Sequence, residues 1–187
     1  MSPEDWWGLA DDTHFVELID GKLLLHPSLR LTHVQIRGLV QTLLTGYVHH
    51  RRLGQVLSGP YTMKLATHRI FQPDVIYMTA VTAVNLTEYW LTGPADLVVE
   101  IVAPATHGYD RQEKRECYRA GQVREYWIID PYERRVTIDR PAGRQVQEVS
   151  EGRVSAEACP GFWMEARWLW SAAEVDVNEC LKAILAG

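Results

Sequence analysis

Leu97-Val98-Val99-Glu100-Ile101-Val102 is an apolar run interrupted by a single acid and closed by Ala103-Pro104. A half-exposed strand alternates apolar and polar residues, so a continuous run of this length reads as a central strand covered on both faces. Pro104 ends it, and a helix capped by Thr106 or Asp110 runs to about Ala120, where Gly121 stops it. Glu125 to Asp130 reads as the next strand. Strand, helix, strand over 97–130 makes one βαβ unit, which calls for a sheet that is at least partly parallel and a mixed α/β fold.

Upstream of this unit, Ser2-Pro3-Glu4-Asp5 has the cap, the first-turn proline and the acids of a helix start, giving a short helix to about Ala10. Phe15–Ile19 and Lys22–His26 flank Asp20-Gly21, a dipeptide suited to a tight hairpin. Between Thr32 and about Arg52, Val34, Ile36, Leu39, Val40, Leu43, Leu44, Tyr47 and Val48 recur at helical spacing, which predicts the longest helix. Gln55–Leu57, Tyr61–Leu65 and Asp74–Met78 read as short strands broken by Gly59-Pro60 and Pro73. Downstream, Arg135–Asp139 and Gln145–Val149 suggest a further hairpin turned at Pro141-Ala142-Gly143, and Trp168–Leu185 a closing helix.

At 187 residues the chain is long enough to bury a sizeable core and short for two, so one domain spanning 1–187 is expected. Hydrophobic residues at 47% and charged residues at 23% exclude global disorder and fibrous repeats. No apolar run reaches the roughly 18 residues of a membrane span, and Met1–Asp12 lacks the pattern of a signal peptide, which points to a cytoplasmic protein without membrane contact. Cys117, Cys159 and Cys180 form no CxxC pair, and no histidine, His49-His50 included, sits in a zinc-type cluster. The net charge of −5 argues against coating nucleic acid by bulk charge, so any such contact needs a local basic patch.

Glu100 is the anomaly in the central strand, because a carboxylate among Val98, Val99, Ile101 and Val102 is costly without a cation or a hydrogen-bond network. Pro73-Asp74, 26 positions earlier, sets a second acid at the edge of another apolar segment. Two acids on neighbouring strands can share a hard cation such as Mg²⁺ or Mn²⁺, which binds through one or two carboxylates and keeps open positions for substrate phosphate. On the residues alone the other reading stays open: Asp74 caps the turn after Pro73 and Glu100 pairs with an arginine.

Pro73-Asp74, then Gly93 to Thr106, then Tyr109-Asp110-Arg111-Gln112-Glu113-Lys114, Tyr118-Arg119-Ala120-Gly121 and Glu125-Tyr126-Trp127-Ile128-Ile129-Asp130-Pro131, closely resembles the Uma-type family, generally described as restriction endonucleases of the PD-(D/E)XK superfamily. The Glu17-Leu18-Ile19-Asp20-Gly21 hairpin and His33 match its N-terminal pattern, so the resemblance runs from about residue 15 to 140. It implies a restriction-endonuclease-like fold: a mixed central sheet flanked by helices, with added β-hairpins. It implies that Asp74, Glu100 and the main-chain carbonyl of Ile101 hold a Mg²⁺ or Mn²⁺ ion. The superfamily's Glu-x-Lys would put lysine at 102, where Val102 stands, and Lys114 takes that role by the family match; Lys64 is its main competitor.

Glu17, His33 and Tyr118 are accessory candidates, Glu17 as an extra acid, His33 as a proton carrier or a group supporting the metal ligands, and Tyr118 on the helix sector of Lys114. At about 100° per residue Arg111, Lys114, Arg115, Tyr118 and Arg119 share one helix sector, which makes the three arginines candidates for DNA contact; a merely solvated charged face is the alternative. The seven tryptophans suit core or subunit packing better than base stacking, and a homo-oligomer would match a duplex substrate. The reaction expected is hydrolysis of DNA phosphodiester bonds. The rival reading is a DNA-binding or regulatory protein that keeps the nuclease fold without turnover.

Overall fold

The structure, a computed structural model, describes residues 16–25, 29–103 and 109–187, and the helix expected at Ser2–Ala10 lies outside them. The hairpin is β1 (Val16–Ile19) and β2 (Lys22–Leu25). The long helix follows as α1 (Leu31–Arg51). Then come β3 (Gly54–Ser58), β4 (Thr62–Ala66), β5 (Arg69–Phe71), β6 (Val75–Thr79), the single-turn α2 (Ala80–Ala83), β7 (Trp90–Thr92) and β8 (Leu97–Ile101). The chain continues through α3 (Tyr109–Ala120), β9 (Glu125–Asp130), β10 (Arg135–Arg140), β11 (Gln145–Val149), β12 (Arg153–Ser155), β13 (Trp163–Glu165), α4 (Ala166–Trp170) and α5 (Val177–Ala186).

A six-stranded sheet has the order β11-β10-β9-β8-β6-β3, and a five-stranded sheet the order β2-β1-β5-β4-β7. Within the first, β8 and β9 run parallel, as the α3 crossover requires, and the other pairs are antiparallel. Leu97, Val99 and Ile101 of β8, with Val75 and Tyr77 of β6 and Trp127 and Ile129 of β9, pack against Val40, Leu43 and Leu44 of α1 and Ile184 of α5. The alternate residues Val98, Val102, Ile76, Met78, Tyr126 and Ile128 meet Met63, Phe71 and Leu91 of the second sheet and Cys117 and Tyr118 of α3. Both faces of β8 are therefore covered, which is why its sequence lacks alternation. Burying each such Val or Leu contributes about 1.5–3 kcal/mol. Glu100 occupies the slot between Val98 and Val102, so it breaks the second core and not the first.

Two helix ends differ from the sequence reading. The closing helix expected over Trp168–Leu185 is two helices, because the Asp176 carboxylate accepts the amides of Asn178 and Glu179 and starts α5 afresh. At the end of α3 the left-handed residue is Gln122 (φ 64°), not Gly121. At Gly121 a Cβ would stand 2.6 Å from a methyl of Leu65, so a larger residue there would have to push that side chain aside. Among the described residues no helix is long and apolar enough to cross a membrane.

Asp96, buried just before β8, accepts the Thr79 amide at 2.8 Å and Nη1 of Arg124 at 3.1 Å. Burial pushes its carboxyl up, but the hydrogen bonds from Thr79, Thr82 and Arg124 outweigh that and hold it below the ordinary range. A depressed folded pKa adds stability above the unfolded value near 4, and that stability fades as pH falls through the folded value. The stability gap between wild type and Asp96→Asn in urea unfolding is thus expected to narrow below about pH 4; a gap constant from pH 7 to 3 would contradict this account.

Candidate active site

Asp74 stands one residue ahead of β6, after Pro73. Extending the β6–β8 register (Val75↔Val99) by one step sets Asp74 across from Glu100, and opposed residues of an antiparallel pair share a face. The Asp74 carboxylate is buried and engaged at both oxygens: Oδ1 lies 2.7 Å from Nε2 of His33, and Oδ2 accepts the Ile101 amide at 2.8 Å. Ile101 thus turns its amide toward Asp74, and its carbonyl projects to the same edge of the strand. His33 reaches this point from the first turn of α1.

Glu100 is held from the opposite direction. The Tyr118 hydroxyl donates to its Oε1 at 2.6 Å, and Nζ of Lys114, one turn earlier on α3, donates to the same oxygen at 3.2 Å. Lys114 is 4% exposed and also lies 3.0 Å from Oε2 of Glu17, a fully buried residue of β1 whose Oε1 accepts the Gln72 amide at 2.9 Å. One ammonium therefore sits between the fully buried Glu17 and the partly buried Glu100, contributed by different sheets. Burial first, with the charges of Glu17 and Asp74, pushes the Glu100 carboxyl up to about 7 against the pull of Lys114 and of the Tyr118 hydrogen bond. Burial first, then the charge of Glu100, keeps the Tyr118 phenol well above its usual range, so it serves as a donor at neutral pH.

Asp74, Glu100, Ile101, Lys114, Tyr118, Glu17 and His33 thus come together. The alternative arginine partner for Glu100 is replaced by Lys114. Lys64 lies elsewhere, with its ammonium 5.0 Å from the Trp90 ring centroid.

The arginine face has a partner within the fold. Arg115 and Arg119 grip the fully buried Asp139 of β10, at 2.5 Å and 2.8 Å from their Nε atoms. They line a groove of about 350 Å³ in which Arg135 is the third cation and Glu116, Asp130 and Glu148 are the acids, so the signs balance. Helix spacing alone could not show this partner, 20 residues beyond Arg119 on another strand. The side chain of Arg111 lies outside the description.

Arg37 was passed over by the sequence reading. It stands one helical turn after His33, and its Nη1 is buried without a hydrogen-bond partner, as is Nδ1 of His33. The i, i+4 spacing from His33 was the available signal.

Among the described residues no group of three or more His, Cys, Asp or Glu side chains forms a metal cage. What stands there is a pair of hard carboxylates with a strand carbonyl beside them, and both donors to Glu100 meet Oε1 and not Oε2. That set fits an ion such as Mg²⁺, which takes few protein ligands and leaves the rest to water and substrate, and does not fit structural zinc.

The family model described as "Uma2: Putative restriction endonuclease" matches residues 6–168. Among solved structures, a protein titled a putative nuclease belonging to DUF820 from Anabaena variabilis superposes with a TM-score of 0.79. It shares 16% identity and covers 92% of this chain and 98% of its own, a likeness of fold. Comparison with curated proteins finds no match.

Proposed function

The chain belongs to the Uma2 family of "putative restriction endonucleases", and from that premise we propose that it is a metal-dependent endonuclease that hydrolyses DNA phosphodiester bonds. The observation that carries the reading is the meeting of Asp74, Glu100 and Lys114 at the ends of β6 and β8, where a buried acid, a partly buried acid and a buried ammonium come together.

Asp74 and Glu100, with the carbonyl of Ile101, would hold the ion. A bound Mg²⁺ or Mn²⁺ supplies Lewis acidity toward the scissile phosphate and a water of lowered pKa. Lys114 stabilises the attacking hydroxide or the charge that develops on the phosphate, and a compact ammonium suits a small oxyanion. His33 fixes the Asp74 carboxylate from behind, Tyr118 fixes that of Glu100, and Glu17 fixes the lysine. The partner is DNA, and a two-fold homo-oligomer would match a duplex.

Incubation of the purified protein with plasmid and with single-stranded DNA is expected to give nicked or linear products in Mg²⁺ or Mn²⁺ and none in excess EDTA. Cleavage that persists in EDTA rejects the metal-dependent reading.

A further inference from the structure

The strand register sets one row of residues across four neighbouring strands of the six-stranded sheet: Glu100 of β8 stands beside Ile128 of β9, Ile128 opposite Thr137 of β10, and Thr137 opposite Glu148 of β11. Residues paired in this way share a face, and neighbouring strands lie about 4.8 Å apart. The groove lined by Ile128, Thr137 and Glu148 therefore begins one strand away from Glu100, on the same side of the sheet. One helix serves both places. Lys114 and Tyr118 of α3 reach Glu100, and the residues that follow each of them, Arg115 and Arg119, reach the groove.

The fully buried Asp139 fixes those two arginines and leaves part of each for a ligand. Among the described residues Arg115 bonds through Nε alone and Arg119 through Nε and Nη2, and their side chains are 28% and 41% exposed. Each guanidinium thus keeps outer N–H groups that are already oriented. In the same groove Glu116 is exposed, Glu148 is held by Arg135 at 3.4 Å, and Ile128 and Val146 supply apolar surface.

A phosphate would meet those two acids as a like charge, whereas a neutral base satisfies donors and acceptors together. Guanine is the base whose edges match: N7 and O6 accept from a guanidinium, while N1–H and the N2 amino group donate to a carboxylate. Adenine turns an amino donor toward the guanidinium in place of O6. A groove of about 350 Å³ is at the small end for ligand sites and suits one base, not a base pair. Pairing would occupy N1, so the base has to be unpaired.

We propose that this groove is a base subsite that receives an unpaired guanine of the DNA strand whose backbone lies at Asp74 and Glu100, with Arg115 and Arg119 donating to N7 and O6 and Glu116 or Glu148 accepting from N1 and N2. The assignment rests on the nuclease reading and adds to it a preference for where the strand is cut. Asp139 is a positioning residue: it orients the two guanidinium groups and touches no base. A free guanine nucleotide offers the same edges, and the test separates the two sources.

Binding of short fluorescein-labelled single strands to the full chain is measured by anisotropy in Ca²⁺. A thymine strand with one central guanine is expected to bind about tenfold tighter than one with adenine at that place, the scale of a single bidentate contact. Replacing the guanine by 7-deazaguanine, which lacks the N7 acceptor, should remove most of that gain. Arg115→Lys keeps the charge and loses the fork, so it should erase the guanine preference while the all-thymine strand binds as before. The Glu116→Gln/Glu148→Gln double variant, at exposed positions, should erase it too, and it carries the test if Arg115→Lys does not fold. Guanine and adenine strands bound equally, or a preference that survives these variants, overturns the subsite, even where wild type cuts DNA. Guanosine monophosphate that binds alone, with no preference among strands, assigns the groove to a free nucleotide and overturns it as well. A guanine preference that depends on Arg115 in a protein that never cuts DNA keeps the subsite and rejects the nuclease reading instead.

Discussion

Asp74→Asn is expected to cut plasmid DNA in Mg²⁺ no faster than a protein-free control while melting close to wild type. The two functions of this carboxylate separate in that variant. Its Oδ2 accepts the Ile101 amide, which an asparagine carbonyl of the same shape can still do, whereas the negative charge that would hold a cation is gone. Asp74→Ala is the harsher comparison. It leaves the buried Ile101 amide and Nε2 of His33 without an acceptor, and each such orphan costs about 1–3 kcal/mol. The alanine variant should therefore lose both stability and cleavage, and the asparagine variant cleavage alone. Single-turnover rates with parallel melting curves decide it: full-rate cleavage by well-folded Asp74→Asn would remove Asp74 from the metal site.

A comparable loss is expected for Lys114→Met, through a different cause. Methionine keeps the stem inside the second core and deletes the ammonium that lies 3.0 Å from Glu17 and 3.2 Å from Glu100. With an oxyanion stabiliser gone, the single-turnover rate should fall about 10²- to 10³-fold. Removing the cation also leaves the fully buried Glu17 beside the partly buried Glu100 without a counter-charge, which favours protonation of one of them, and loss of one member of a buried ion pair such as Lys114–Glu17 costs about 3–5 kcal/mol. Folding must be verified at the assay temperature. Lys64→Met is the internal control: that lysine lies against Trp90, an interaction of about 0.5–1 kcal/mol at a partly exposed site, and its loss should leave the rate unchanged. An inactive Lys64→Met beside an active Lys114→Met would reverse the assignment.

The parts of the fold that could be read in the sequence are those whose pattern is set by burial over a long stretch. The uninterrupted apolar run of β8, the helical period of α1 and the strand-helix-strand order through α3 all follow from what each element packs against. Strands of three residues, β5, β7, β12 and β13, are too short for any period to emerge, and they escaped notice. The break between α4 and α5 turned on Asp176, a capping residue hidden inside an apolar stretch. At the site, Glu100 stood out because it violates its surroundings, and Lys114 and Tyr118 followed from family motifs. The pairing of Arg115 and Arg119 with Asp139 was not legible, because Asp139 lies on β10 and a salt bridge between distant segments leaves no trace in local spacing.

Placing the lysine on α3, 14 residues from Glu100, separates this chain from one whose acid and ammonium share a strand. Two residues apart on one extended backbone, the pair would exist as soon as that segment was straight. Here the ammonium meets Glu100 only after the helix has docked on the six-stranded sheet, and its second anchor, Glu17, arrives with a hairpin of the other sheet. The proposed site is therefore a product of completed assembly: a nascent or partly opened chain carries its residues without its geometry, so any competence to cut is expected to rise and fall with global cooperativity.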